Sequence, residues 1–289
     1  FIERPNRFLV VCDIDGRAVE AYLPNPGRLW ELLFPGRILY LVRTPPDPAK
    51  STEYTALAVE HEGRPILLHT HRTNDVVAHL LAAKKLPGFE TASVIRREVR
   101  AGASRYDFLL EKDGREFFLE VKSCTLFGRR IAMFPDAVTE RGRRHLENLA
   151  LHARQGIPGG VVFVVHSPRI DTFMPDYHTD YRFARALLEV SNDLLVKAVS
   201  VEWREDLSLG PRVRDVEIPW DLIARQAQDR GSYLLVLEVA QSRRIDAGGL
   251  GKVTFPKGYY VYAGSARVNL TKRVERHLRR RKQFHWHID

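Results

Sequence analysis

The chain has 289 residues, of which 44% are hydrophobic and 28% are charged, and its formal net charge is +9. This hydrophobic content supports packed cores and excludes a disordered chain, and no apolar run approaches the ~18 residues of a membrane-spanning helix. The two cysteines, Cys12 and Cys124, exclude a disulfide framework and fit a cytoplasmic protein with reduced thiols.

The positive charge is concentrated near the C-terminus. Residues 231–289 hold 12 Lys and Arg residues and 4 Asp and Glu residues, whereas residues 1–230 hold 33 and 32. A segment so rich in cations favours a polyanionic partner, most often nucleic acid. The alternative is a basic surface that serves only solubility. The chain begins at Phe1 and ends just after an aromatic cluster, so we expect it to be incomplete.

Residues 1–70 are predicted to be mostly β-structure. Apolar runs separated by turn residues predict short strands and one helical turn. The strands are placed at Arg7–Asp13, Arg17–Leu23, Arg37–Arg43, Glu53–Glu60 and Pro65–His71, and the helical turn at Leu29–Phe34. Five short strands in this length indicate a small OB-like β-barrel. Arg28 and Lys50 are candidate nucleic-acid contacts of this barrel, with a purely structural module as the alternative.

Residues 71–222 are predicted to form a mixed α/β core. The predicted elements are a helix at Asn74–Lys84, a strand at Val94–Ala101, a hairpin at Ser104–Ser123, a helix at Phe134–Arg154, a strand at Gly159–His166 and a helix at Phe183–Val190. Strands interleaved with helices in this order are typical of a mixed sheet with helices packed on it. Residues 223–230 are interpreted as a linker to the last segment, 231–289.

The hairpin carries an unusual pair of carboxylates. Asp113-Gly114 suits a type I′ turn, and this turn sets a register that places Asp107 directly opposite Glu120, with Lys122 on the same face. Opposed like charges are destabilising unless a proton, a cation or water separates them. We favour a divalent metal; the alternative is a charged surface in which these carboxylates pair with neighbouring basic side chains.

The opposite face of the hairpin is predicted to be apolar. Its side chains are Tyr106, Phe108, Leu110, Phe117, Leu119 and Val121. In the helix that follows, Val138, Gly142, Leu146, Leu149 and Ala153 are expected to form the buried stripe. Arg141, Arg144 and His145 then lie on or beside the exposed side, as candidate clamps for phosphates. A solvated helix face is the alternative for these three.

Several motifs resemble one known family. EVRAGASRYDFLL, FFLEVKSCTL and FPDAVTERGRRHLENL occur in an order that resembles the sugar fermentation stimulation protein A (SfsA) family, as do ERPNRFLV and PNPGRLWELLFPG nearer the N-terminus. The resemblance covers residues 1–222. It implies an N-terminal OB-fold followed by a domain of the PD-(D/E)xK nuclease class, whose Asp and Glu-x-Lys pattern falls on Asp107, Glu120 and Lys122.

The resemblance also implies roles for these residues. Asp107 and Glu120 would bind Mg²⁺ or Mn²⁺, with the backbone carbonyl of Val121 as a further ligand. Lys122 would position the attacking water and stabilise the transition state. Nucleases of this class often carry an acidic residue on the first core helix, where His79 is expected here. Glu98 is the candidate replacement, unless it pairs with a neighbouring arginine.

The last segment resembles a second family. GSYLL, GYYVYAGSA, NLTKRVERH and HWHID, all within residues 231–289, resemble small GIY-YIG-like domains. The candidate site residues that the resemblance implies are Tyr233, Tyr262, Gly264, Arg273 and His277. The later metal-binding Glu of active GIY-YIG nucleases is absent before Asp289, so either the chain is truncated within this domain or the domain only binds. His285 and His287 are interpreted as structural rather than as a metal pair.

Together these observations predict a cytoplasmic nuclease that requires Mg²⁺ or Mn²⁺ and hydrolyses phosphodiester bonds in DNA or RNA. Nucleic acid is the expected partner, and neither a membrane nor an organic cofactor is expected. The alternative is a non-catalytic DNA-binding regulatory protein, linked to sugar metabolism, that retains a nuclease fold.

Overall fold

The computed structural model describes residues 1–44, 52–102, 104–246, 249 and 251–279. The chain divides into two compact units, Phe1–Ala224 and Arg225–Asp289. Among the helices described, none combines the length and the apolar character that crossing a bilayer requires.

The first unit begins with a six-stranded sheet. Its strands are β1 (Glu3–Asn6), β2 (Leu9–Ile14), β3 (Arg17–Tyr22), β4 (Leu39–Arg43), β5 (Tyr54–His61) and β6 (Arg64–Leu67). They lie in the order β1-β2-β3-β5-β4, with β6 also paired to β5. Within the described residues no ladder joins β4 to β1, so the sheet is OB-like but is not a closed barrel. The helical turn predicted at Leu29–Phe34 is a single turn, closed by the N–H of Leu33 on the carbonyl of Leu29.

A second six-stranded sheet follows. The remaining strands of this unit are β7 (Ser93–Ala101), β8 (Ser104–Lys112), β9 (Arg115–Cys124), β10 (Leu126–Phe127), β11 (Ile131–Phe134), β12 (Gly159–Val165), β13 (Thr172–Pro175), β14 (Leu195–Trp203) and β15 (Leu209–Val216). The large sheet has the order β15-β14-β12-β9-β8-β7, and β10, β11 and β13 form a small one. Because β12 is parallel to both β9 and β14 while the outer pairs are antiparallel, the predicted mixed sheet is confirmed.

Helices cover both faces of this sheet. They are α1 (Thr70–Ala82), α2 (Glu140–Arg154), α3 (Tyr181–Val190) and α4 (Trp220–Gln226). On one face, Leu146 of α2 and Phe183 of α3 belong to a cluster, the first core, that continues into the N-terminal sheet through Val10. On the other face, Val77 of α1 packs with Phe108 in a second core. The large sheet is therefore buried between two apolar layers.

Gly160 in β12 is a position where a side chain does not fit. A Cβ atom there would lie 2.4 Å from the carbonyl oxygen of Leu195 and 3.0 Å from the ring of Phe117. Because both atoms belong to close-packed strands, we expect Gly160→Ala to lower the free energy of unfolding by about 2–3 kcal/mol in a denaturant titration. Gly128→Ala is the control, since a Cβ there meets nothing within 4 Å. Equal losses in both variants would contradict this account.

The turn of the β8–β9 hairpin is as predicted. Asp113 and Gly114 have φ angles of 53° and 76°, the left-handed values that a type I′ turn needs. The pairs run from Lys112–Arg115 to Phe108–Leu119 in the predicted register. A two-residue turn thus fixed the register of this hairpin from local sequence.

Helix α2 begins later than predicted. Phe134 ends β11, and Thr139 is the N-cap, whose hydroxyl accepts the N–H of Gly142 at 3.1 Å. Val138 precedes the helix and is 71% exposed, so its predicted place in the buried stripe is wrong. The other predicted stripe residues are buried or half-buried: Gly142, Leu146, Leu149 and Ala153.

The second unit contains two antiparallel strand pairs and a helix. Its elements are β16 (Gly231–Val239), β17 (Arg243–Asp246), β18 (Lys252–Phe255), β19 (Gly258–Ala266) and α5 (Leu270–Leu278). β16 pairs with β19, and β17 with β18, each in antiparallel register. The start of α5 is held by Asp229, whose carboxylate accepts the N–H and the hydroxyl of Thr271 at 2.9 and 2.8 Å.

Candidate active site

A cavity of about 730 Å³ opens where several elements of the first unit meet. The first turns of α1 and α2 line it, together with parts of β8 and β9 and the loop after β3. Its walls carry the cations Arg105, Lys122 and Arg141 and the carboxylates Asp107 and Glu120. Because helix N-termini present free N–H groups and a positive dipole end, two of them at one cavity favour an anionic ligand.

Glu120 of β9 is the most deeply buried carboxylate of the cavity, with its side chain 5% exposed. Its Oε1 accepts from Lys122 Nζ at 2.5 Å and from His145 Nδ1 at 2.7 Å. Burial by itself would raise the pKa of Glu120, but the Lys122 charge and the His145 hydrogen bond outweigh it and hold that pKa below its usual range. Oε2 is buried and has no hydrogen-bond partner among the described residues.

Asp107 of β8 is held from two sides. Its Oδ1 accepts from the amide of Asn74 at 2.8 Å, and its Oδ2 accepts from the backbone N–H of Val121 at 2.7 Å. Burial raises the pKa of Asp107, and the neighbouring charge of Glu120 raises it further. The two carboxylates thus repel each other across the cavity, as the sequence predicted, although each is anchored to a different helix.

The strand pairing changes at Asp107. The β8–β9 ladder extends only to Phe108, and beyond it the Asp107 carboxylate takes the N–H of Val121. Tyr106 packs against Phe118 in the first core, with ring centroids 5.1 Å apart, whereas Phe108 belongs to the second core. The prediction that Tyr106 and Phe108 share one face is therefore wrong, because strict alternation ends at the site.

Asn74 is the residue of the first core helix that contacts a carboxylate of the site. His79 lies in the last turn of α1, is exposed and does not line the cavity, so the expectation for His79 is wrong. Asn74 sits one turn from the start of α1 and donates to Asp107. Glu98 lines the cavity and pairs with Arg105 of β8, whereas the sequence favoured Arg96 or Arg100 of its own strand as the partner.

The basic residues of α2 have different surroundings. Arg141 lines the cavity, and its Nε donates to Nε2 of His145 at 3.4 Å. His145 therefore carries its proton on Nδ1 and donates it to Glu120. Arg144 is exposed and lies outside the cavity lining. The structure thus brings Arg141 and His145 to the carboxylates and leaves Arg144 on the outer side.

Arg28 links the two sheets of the first unit. Its Nε donates to the carbonyl of Asp136, its Nη2 donates to Thr179 Oγ1 at 2.8 Å, and the guanidinium lies 4.8 Å from the ring centre of Trp30. These internal contacts use two of the five N–H donors of the guanidinium and hold it against the segment before α2. Lys50 and the His285–His287 segment lie outside the described residues.

The candidate residues of the second unit converge at one end of the β16–β19 pair. The hydroxyl of Tyr233 and Nε2 of His277 are 2.9 Å apart, and the ring of Tyr262 lies 5.9 Å from that of His277. Gly264 is required beside them, since a Cβ there would lie 2.4 Å from the Tyr233 ring. Arg273 Nη1 donates to the carbonyl of Ser265 at 2.8 Å, next to this cluster.

Sequence reasoning missed four polar residues near the cavity: Thr73, Asn74, Ser123 and His166. Thr73 and Asn74 precede the apolar stripe of α1, a position that is typical of helix starts and carries no signal for a site. Ser123 directly follows Lys122, and His166 directly follows the apolar run of β12. A polar residue at the end of a buried strand was the available signal for the last two.

Across the described residues, no three His, Cys, Asp or Glu side chains converge closely enough to hold a metal ion by themselves. The site nevertheless combines the buried carboxylate of Glu120, the half-buried carboxylate of Asp107 and the ammonium group of Lys122. It lies on a mixed sheet that has helices on both faces. This fold is that of a nuclease-like protein with an N-terminal OB domain.

Family comparisons identify the particular group. Residues 2–68 match the SfsA N-terminal OB domain, and residues 71–206 match the sugar fermentation stimulation protein RE domain. The chain belongs to the sugar fermentation stimulation protein (SfsA) family. Residues 232–289 match a domain of unknown function, DUF123, in the segment for which the sequence predicted a GIY-YIG-like domain.

Individual relatives match 65% or more of this chain. A sugar fermentation stimulation protein homolog of Methanothermobacter thermautotrophicus is 33% identical over 223 residues, which are 76% of this chain and 92% of that protein. A homolog of Chloroflexus aurantiacus is 41% identical over 65% of this chain and 73% of its own length. The solved structure of Pyrococcus furiosus SfsA in complex with Ca²⁺ has a TM-score of 0.68 and 30% identity and covers 75% of this chain and 93% of that one.

Proposed function

We propose that this protein is a nuclease that hydrolyses phosphodiester bonds in DNA or RNA with Mg²⁺ or Mn²⁺ bound by Asp107 and Glu120. The observation that carries the proposal is the environment of Glu120. One of its oxygens is held by Lys122 and His145, and the other is buried without a partner among the described residues. The half-buried carboxylate of Asp107 is close enough for its charge to be felt. An unpartnered carboxylate oxygen in a buried site is costly unless a cation or a donor reaches it.

The donor set suits a hard divalent cation. Carboxylate oxygens are the preferred ligands of Mg²⁺ and Mn²⁺, and the backbone carbonyl of Val121 is the proposed additional protein ligand. Water and a substrate phosphate would complete the coordination, since the protein offers few side-chain ligands. The Pyrococcus furiosus relative was solved as a complex with Ca²⁺, which supports divalent-cation binding by this family.

A bound divalent cation would neutralise phosphate charge and make a water molecule acidic enough to attack. The remaining work falls to this chain's residues. Lys122 lies within hydrogen-bond distance of Glu120, so its ammonium group is placed to orient the attacking water and to stabilise the negative charge that develops on phosphorus oxygens. Asn74 and His145 fix the orientation of the two carboxylates, and Arg141 would hold a neighbouring phosphate.

Lys122→Met tests this assignment. We expect the cleavage rate of labelled DNA and RNA oligonucleotides in Mg²⁺ or Mn²⁺ to fall by about 10²–10³-fold, because one charged group that acts in the transition state is removed. Binding of the divalent ion, measured by calorimetry, should persist. Lys85→Met is the control, since Lys85 is exposed and lies away from the cavity. Absence of metal-dependent cleavage by the wild-type chain on all of these substrates would refute the proposed function.

A second candidate function is nucleic-acid binding without cleavage. The observation in its favour is the Lys122–Glu120 ion pair, which neutralises the buried carboxylate without any metal. On this account the wild-type chain would bind oligonucleotides and leave them intact in Mn²⁺, and Lys122→Met would change binding rather than cleavage.

A further inference from the structure

His166 is a fully buried histidine beside the cavity and takes no part in the proposed metal chemistry. Its ring stands between Trp203 on one side and the hydroxyls of Ser123 and Thr73 on the other. The indole N–H of Trp203 donates to Nδ1 at 3.2 Å, while Nε2 lies 3.1 Å from Ser123 Oγ and 3.2 Å from Thr73 Oγ1.

These contacts fix the tautomer of the imidazole. An indole nitrogen can only donate, so Nδ1 of His166 must be the acceptor and its proton must sit on Nε2. Burial lowers the pKa of His166 to about 3, so the ring remains neutral at ordinary pH. A protonated Nε2 has no lone pair left to accept a hydrogen bond, and it therefore donates to the two hydroxyl oxygens.

The hydroxyl protons are consequently directed elsewhere. Ser123 and Thr73 both line the cavity, and within the described part of the chain neither hydroxyl makes another hydrogen bond. Thr73 is 1% exposed, whereas Ser123 is half-buried and is the more accessible of the two. Because the oxygen of Ser123 already accepts a hydrogen bond from His166, its hydroxyl proton is left to donate toward the cavity.

We infer that Ser123 contacts the substrate by donating its hydroxyl proton to a non-bridging phosphate oxygen, and that His166 is the positioning residue that orients it. The inference rests on the proposed binding of nucleic acid in this cavity. A neutral donor suits that place, because Lys122 and Arg141 already supply positive charge there while a hydroxyl adds direction. The ligand is the sugar-phosphate backbone rather than a base edge.

The test uses the full chain and a labelled oligonucleotide in Ca²⁺, with affinity measured by fluorescence anisotropy. Ser123→Ala should weaken binding by about tenfold, the usual effect of losing a hydrogen bond to a charged group, and Ser123→Thr should retain most of the affinity. Oligonucleotides with a methylphosphonate at one linkage then locate the contact. At the linkage that Ser123 contacts, the modification should weaken binding by the wild type. The same modification should not lower the affinity of Ser123→Ala, which already lacks the contact.

Nitrogen NMR of the His166 ring supplies a readout that a merely structural role would not require. We expect the Nε2–H tautomer between pH 5 and pH 8, and an Nδ1–H tautomer would overturn the inference. If the wild type binds the oligonucleotide and Ser123→Ala binds it with the same affinity, the inference about Ser123 is wrong and the proposed function stands. A wild-type chain that neither binds nor cleaves nucleic acid would remove both.

Discussion

Replacing Glu120 by Gln is expected to lower metal-dependent cleavage by about 10³-fold or more, the largest activity effect that the structure predicts. The change removes the negative charge on which Lys122 and His145 converge and leaves an amide where a divalent ion requires a carboxylate oxygen. Rates of oligonucleotide cleavage in Mn²⁺ measure the effect, and calorimetry should show a parallel loss of Mn²⁺ affinity.

Glu116→Gln is the matched control for this experiment. Glu116 lies on the same strand, is exposed and pairs across the hairpin with Glu111, away from the cavity. Its substitution should leave cleavage and metal affinity at wild-type values. If Glu120→Gln cleaves as fast as Glu116→Gln, the assignment of Glu120 to the metal site is wrong.

His166 is expected to make the protein sensitive to acid. Its pKa is about 3 in the folded state against 6.5 for an unperturbed histidine, so below pH 6.5 the unfolded chain binds a proton that the folded chain does not. Stability therefore falls as the pH decreases from about 6.5 to about 3, by roughly 5 kcal/mol in total. Denaturant titrations at pH 7.5 and pH 4.5 should detect about half of this loss.

Variants separate this contribution from the carboxylates that titrate over the same range. His166→Gln cannot be protonated, so its stability should fall by about 2–3 kcal/mol less than that of the wild type between the two pH values. An NMR titration of the wild type tests the same point without mutation, and a His166 ring that protonates near pH 6.5 would contradict it.

Local sequence determined those parts of the site that depend on one turn. Asp113-Gly114 has the backbone freedom for a single tight turn, and that turn fixes which residues of β8 and β9 face each other as far as Phe108 and Leu119. Beyond this pair the prediction became less accurate. The difference begins at Asp107. There the side-chain carboxylate, rather than a backbone carbonyl of β8, accepts the N–H of Val121. The alternation of side chains between the two faces of a strand does not reveal such a change.

Contacts between distant segments account for the other differences. The predicted start of α2 is too early because Asp136 resembles a helix cap. Its carboxylate instead accepts the N–H groups of Arg28 and Leu29 in the N-terminal region, and Thr139 caps the helix. The sequence pointed to His79 as the site residue of α1, but the direction in which that helix crosses the sheet brings Asn74 to Asp107. Neither contact has a signal in the neighbouring sequence.

Gly27 shows how closely these distant segments are fitted together. A Cβ at Gly27 would lie 2.1 Å from Oδ2 of Asp136, so the loop after β3 meets the segment before α2 with no room for a side chain. Both segments line the cavity, and the first core runs from the OB-like sheet into the large sheet. The cavity is complete only when both sheets are folded and docked. A ligand bound there would therefore add its binding free energy to the folding of the whole of Phe1–Ala224, and the ion or nucleic acid would act as a thermodynamic clamp between the two sheets.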